Sequence, residues 1–118
     1  MQKIHLFDKD QTASVVPAGT KIFQAGDAGE QMFAVLDGAV DIVIHGQVVE
    51  TVEGGGVFGE MALIEDRPRA ASAVVKSDSS IVSIDRKRFM FLVQQNPFFA
   101  LQLMSVMADR LRRMDEKL

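Results

Sequence analysis

Up to residue 85 the chain alternates short apolar runs with glycine-marked breaks; after it, apolar residues recur at helical spacing. Pro17-Ala18-Gly19 and Gly26-Asp27-Ala28-Gly29 read as turns around the strand-like Lys21-Ile22-Phe23. Asp37-Gly38 and His45-Gly46 read as hairpin turns, because both pairs tolerate positive φ. Between them, residues 31–36, 39–44 and 47–52 form three expected strands. Val40, Ile42 and Ile44 fall on one strand face, although Val43 breaks the alternation. Gly54-Gly55-Gly56 leads into Val57-Phe58, and strands at 70–76 and 80–84 flank a turn at Ser77-Asp78-Ser79. Many short strands at this spacing predict an antiparallel barrel or sandwich.

Asp85 is a suitable N-cap, and Phe89, Leu92 and Val93 repeat at helical spacing as far as Asn96. Pro97 then opens a second helix, since proline is tolerated in a first turn. Along it Ala100, Met104, Met107, Leu111, Met114 and Leu118 make one apolar seam. The seam over residues 97–118 fits the a and d positions of a coiled coil and predicts a homodimer. Folding of the same stripe back onto the barrel is the alternative. Residues 2–11 suggest a short helix packed on the barrel. The fold expected is therefore mainly β with flanking helices.

At 118 residues the chain makes one domain, large enough to bury roughly two-thirds of its unfolded surface. It has no cysteine, which excludes disulfides, thiolate metal sites and cysteine nucleophiles and suits a reducing cytoplasm. No apolar run approaches the ~18 residues of a membrane span. Residues 1–85 carry 6 basic and 13 acidic side chains, against 7 and 3 in residues 86–118. A tail this mildly basic predicts solvated helix faces and no direct contact with nucleic acid. His5 and His45 are the only histidines, too few for a metal-binding β-barrel enzyme. No nucleophile elbow or Walker lysine occurs, so no catalytic residues, metal or cofactor are expected.

Chemistry concentrates between Phe58 and Val75. Gly59 permits close approach of backbone to a ligand. If Glu60 to Leu63 form a helical turn, the amides near Met61 and Ala62 point out of its N-terminus toward an anion. Glu60 is then an acceptor for a ribose hydroxyl. Pro68 leads into Arg69, whose fork matches two phosphate oxygens. Ala70 and Ala71 are small enough to leave the backbone accessible, and Ser72 offers a further donor. Glu60 and Arg69 as a structural ion pair over an empty pocket is the bland alternative.

The stretch Phe58-Gly59-Glu60-Met61-Ala62-Leu63 through Pro68-Arg69-Ala70-Ala71-Ser72 resembles the phosphate-binding cassette of cyclic nucleotide-binding domains. That family includes the catabolite activator protein, protein kinase A regulatory subunits and nucleotide-gated channels. The resemblance covers nearly the whole chain and implies a jelly-roll-like β-roll, or double-stranded β-helix. Its parts would be an N-terminal helical segment at 1–12, a roll at 13–85 with its cassette at 58–75, and a hinge with C-terminal helices at 86–118. It implies Glu60 on the ribose 2′-hydroxyl, Arg69 on the exocyclic phosphate oxygens, and amides near Ala62 and Ala70 completing the phosphate cage. Relatives that prefer cGMP often carry threonine after the arginine, so Ala70 leans toward cAMP. With no Tyr or Trp in the chain, Arg110 and Arg113 are the candidates for a lid stacked on the base. Three roles remain open: a free-standing sensor, the regulatory half of a transcription regulator or channel, and a dimerising scaffold without a ligand.

Overall fold

The computed structural model describes residues 3–116, with side chains as far as residue 113. Six strands form one curled antiparallel sheet: β1 (Ser14–Val16), β2 (Lys21–Phe23), β3 (Gln31–Ile44), β4 (Gln47–Glu53), β5 (Val57–Phe58) and β6 (Ser72–Asp85). Strand β6 lies between β1 and β3, β4 pairs β3 on its other side, β2 pairs β6 and β5 pairs β3. Helix α1 (Glu60–Glu65) interrupts the strands, and α2 (Arg86–Gln95) and α3 (Pro97–Glu116) follow them. The architecture is the mainly β roll with flanking helices that the sequence pattern predicts.

Strands β3 and β6 depart from that pattern in length. Asp37-Gly38 does not turn the chain back, and neither does Ser77-Asp78-Ser79; both lie inside continuous strands paired along their length. Register shifts between Val35 and Val40 bend the pair where hairpins are expected. Ser79 stitches this corner from a buried position: its hydroxyl accepts from Ala39 N at 3.0 Å and donates to Ser77 O at 2.7 Å. Extra residues at bulges bend a strand and change which face its side chains meet. Thus Phe33 and Val35 reach the barrel interior before the bend, and Val40 and Ile42 do so after it. The His45-Gly46 hairpin forms as expected, with φ of 51° and 76°.

Two apolar clusters occupy the two faces of this sheet. The inner one holds Phe33, Val35, Val40, Val52, Phe58, Ala73, Val75 and Ile81. The outer one joins Met32, Ala34, Val82 and Ile84 from the strands to Phe89, Phe99, Leu103 and Val106 from the helices. Asp85 caps α2 by accepting from Arg88 N at 2.8 Å, and Asn96 caps α3 by accepting from Phe99 N at 3.1 Å. Both caps satisfy amides that a helix start leaves unbonded.

The N-terminal segment is not a helix among the described residues. Asp8 N bonds His5 O and Asp10 N bonds Phe7 O, so the chain folds in tight turns. Ile4 and Phe7 still enter the outer core, and the Phe7 ring meets Phe99 edge-on at 5.9 Å. Helix α3 also buries a different stripe from the one the seam suggests. Phe99, Leu103 and Val106 face the barrel, Ala100 and Met107 lie half-buried, and Met104 and Leu111 are exposed. The Met114 side chain and Leu118, the last members of the seam, lie outside the described residues.

Candidate functional site

Strand β5 delivers Phe58 to the inner core and then Gly59, with φ 82°, turns the chain into α1. A side chain at Gly59 would meet Arg69 Nη1 at 2.8 Å, so glycine is required both for the turn and for the arginine beside it. No side chain caps α1, whose first turn carries Glu60, Met61 and Ala62. Beyond α1 the segment through Pro68 returns to the barrel and places Arg69 beneath the same cleft. The loop before β3 clamps that return: Arg69 N bonds Asp27 O and Gly26 N bonds Arg69 O, each at 2.8 Å. Gly29 of this loop lies so close to Ala62 that an added Cβ would come within 2.1 Å of the alanine methyl.

The resulting cleft has a volume of about 340 Å³, within the range of small-ligand sites. It is lined by Phe58, Gly59, Glu60, Met61, Ala62, Arg69, Ala70 and Ala71, all among the residues singled out in the sequence. Arg69 is 7% exposed; Nη1 donates to Gly59 O at 2.7 Å and Nη2 to Gln31 O. Its guanidinium carbon sits 4.0 Å above the Phe23 ring, a cation–π contact. Burial lowers its pKa from the ordinary value, while the charges of Glu60 and Asp27 oppose that shift. Nε of Arg69 is buried and has no hydrogen-bond partner among the described residues. A buried donor without an acceptor is costly and marks a place where an anion's oxygen would be stabilised.

Glu60 does not pair with Arg69. Its carboxylate, 1% exposed, receives Nη1 of Arg110, which reaches across from α3. Arg110 also donates from Nε to both oxygens of Glu50, at 2.9 and 3.2 Å, and from Nη2 to Val57 O. Arg110 therefore enters the cleft as an ion-pair partner, whereas the sequence suggests it for stacking on a base. Arg113 is not brought to the cleft: it is half-exposed and its Nη2 lies 3.4 Å from Asp109 on the same helix. Ser72 does not line the cleft either, and its hydroxyl accepts from Ala25 N at 3.0 Å.

Phe23, Ile42 and Glu50 also line the cleft, although the sequence points to none of them as a site residue. Glu50 leaves the faintest signal, a carboxylate at the middle of an otherwise ordinary strand. Only the pairing of β4 opposite Ile42 brings it to the cleft. Among the described residues no three His, Cys, Asp or Glu side chains gather as a metal site. No helix there is long and apolar enough to cross a membrane.

Fold and cleft together define a β-roll module with a buried arginine and a buried glutamate lining one small pocket. Residues 13–96 match the family model of the cyclic nucleotide-binding domain, and the chain belongs to that family. It is 33% identical over 107 residues to the cyclic AMP receptor protein of Thermus thermophilus, covering 86% of this chain and 50% of the receptor. The crystal structure of the Thermus thermophilus catabolite activator protein superposes with a TM-score of 0.79 at 32% identity, over 89% of this chain and 52% of that one. Cyclic-AMP-bound PfPKA-R superposes with a TM-score of 0.76 at 27% identity, over 88% of this chain and 36% of the other. The chain thus spans about half the length of the receptor protein.

Proposed function

We propose that this domain binds one cyclic mononucleotide, cAMP in preference to cGMP, and relays its occupancy through the C-terminal helices. The observation that carries this reading is the buried Arg69, with Nε unpaired, in one small cleft with the buried Glu60. The exocyclic phosphate would take Arg69 and the amides near Ala62 and Ala70, and the ribose 2′-hydroxyl would take Glu60. Ala70 at the position after the arginine supports cAMP, and the resemblance to a cAMP-bound kinase subunit agrees with it.

The relay has two polar links. Arg86 at the start of α2 donates to Leu63 O at 3.0 Å and lies 3.4 Å from Asp66, tying the end of α1 to the hinge. Arg110 ties α3 to Glu60 itself. Movement of the cassette on ligand binding would pull both helices, provided the ligand favours one helix position over the other. Leu101, Met104 and Leu111 leave an exposed apolar face on α3 that would join two copies of the chain in a homodimer. An effector acting downstream, as in a transcription regulator, belongs to the same proposal.

Calorimetric titration of the wild type with cAMP and cGMP, beside Arg69→Met, tests it. Saturable heat is expected, tighter for cAMP. The variant should lose on the order of 3–5 kcal/mol, because removal of one partner strands a buried charge. No heat with millimolar nucleotide, or equal affinity in the variant, would sink the assignment.

A further inference from the structure

Glu50 belongs to neither the cassette nor the helices, yet its carboxylate reaches the same cleft and is only 14% exposed. Two carboxylates, Glu50 and Glu60, thus share one guanidinium. Arg110 gives Nε to Glu50, Nη1 to Oε1 of Glu60 and Nη2 to Val57 O, so each of its edges is committed to a different partner. Of the two Glu60 oxygens, Arg110 takes Oε1 and leaves Oε2. A guanidinium left free to turn prefers to take both oxygens of one carboxylate in a parallel fork. Glu50 and Val57 hold this one in a different geometry.

From this we infer that Glu50 is a positioning residue for ribose recognition: by holding Nε of Arg110 it keeps one oxygen of Glu60 open to a ligand hydroxyl. The inference rests on the ribose role given to Glu60 above. Without the Glu50 charge, Arg110 rotates onto both oxygens of Glu60 or leaves the cleft. In the first case no oxygen remains for the hydroxyl. In the second a buried carboxylate loses its counter-charge. Either way the contribution of the 2′-hydroxyl disappears, while Arg69 and its phosphate contacts stay as they are. The arrangement also makes the fourth turn of α3 part of ribose selection, since Arg110 is its only described residue lining the cleft.

The test compares cAMP with its 2′-deoxy analogue, by titration calorimetry, on the wild type, Glu50→Gln and Glu50→Asp. In the wild type the ribonucleotide should bind roughly tenfold or more tightly than the deoxy form, the worth of one charge-assisted hydrogen bond. Glu50→Gln should bring the two affinities together by weakening cAMP alone, and Glu50→Asp should retain part of the preference. A variant that weakens both ligands equally has only a structural role at this position, and one that keeps the full preference does not act through Arg110. Either result overturns the inference while leaving nucleotide binding intact. A wild type that binds both forms equally, or neither, overturns the ribose assignment to Glu60 first.

Discussion

The two faces of the sheet are packed from different sources. The inner core is built by neighbours in the barrel, and three of its rings, Phe23, Phe33 and Phe58, sit with centroids 5.2–6.0 Å apart under Arg69. That packing fixes the floor of the cleft, because close-packed aromatic side chains do not shift by fractions of an ångström without loss. The outer core is assembled from distant parts: the N-terminal turns, alternate residues of β3 and β6, α1 through Leu63, and both C-terminal helices. Its members meet mostly by apolar contact and a few polar ties at the edges. Under the proposed function, one face holds the ligand-binding geometry and the other the elements that respond. Helix α3 is common to both, with Phe99, Leu103 and Val106 in the outer core and Arg110 in the cleft.

The largest effects should come from cutting into either core. Phe99→Ala and Phe58→Ala should each destabilise the domain by about 3–5 kcal/mol in denaturant unfolding, the usual cost of a buried phenyl cavity. They should differ in binding. Phe58→Ala removes a wall of the cleft and should weaken nucleotide binding more than Phe99→Ala does, measured where both variants remain folded. Equal losses would break the distinction between the two faces.

A smaller effect separates polar ties from apolar packing within the outer face. Arg88 on α2 pairs with Asp10 of the N-terminal turns at 2.5 Å, and the Thr12 hydroxyl and amide donate to the same carboxylate. The Thr12 hydroxyl chiefly, with Arg88 next, holds the Asp10 pKa down from 3.8 to about 2. A carboxylate depressed in the folded state stabilises fully above its unfolded pKa, and that contribution fades as pH falls toward the folded one. Asp10→Asn should therefore cost on the order of 1 kcal/mol at neutral pH, after allowance for solvent around the pair. It should also flatten the acid-unfolding curve between pH 3.8 and about 2. An unchanged acid curve would show that apolar contacts alone hold the N-terminal turns.

The smallest effect on stability is expected on the outer surface of α3. Leu101→Ser with Met104→Ser should leave the monomer's unfolding free energy within about 0.5 kcal/mol, as exposed substitutions do, while abolishing in sedimentation the self-association proposed for this face. A loss of several kcal/mol would place these residues in the core of the monomer instead.

By itself the sequence determined the class of fold and the cassette. Both depend on short-range rules: glycine where the backbone must take positive φ, a proline and small residues around an arginine, an aspartate before a helix. The run from Phe58 to Ala71 reaches the cleft because residues so close in the chain have little freedom to be elsewhere. Tertiary structure decided what depends on register and reach. Bulges carried β3 and β6 straight through positions where local composition favours hairpins, because pairing along both strands outweighs a two-residue turn preference. The face of α3 that packs was chosen by the shape of the barrel, since that helix has apolar residues on more than one side and spacing alone cannot rank them. Arg110 and Glu50, sixty residues apart, meet on Nε and both carboxylate oxygens only because the roll and the last helix close over one cleft. No local pattern records a contact of that range, because its stabilisation is realised only after the intervening chain has folded.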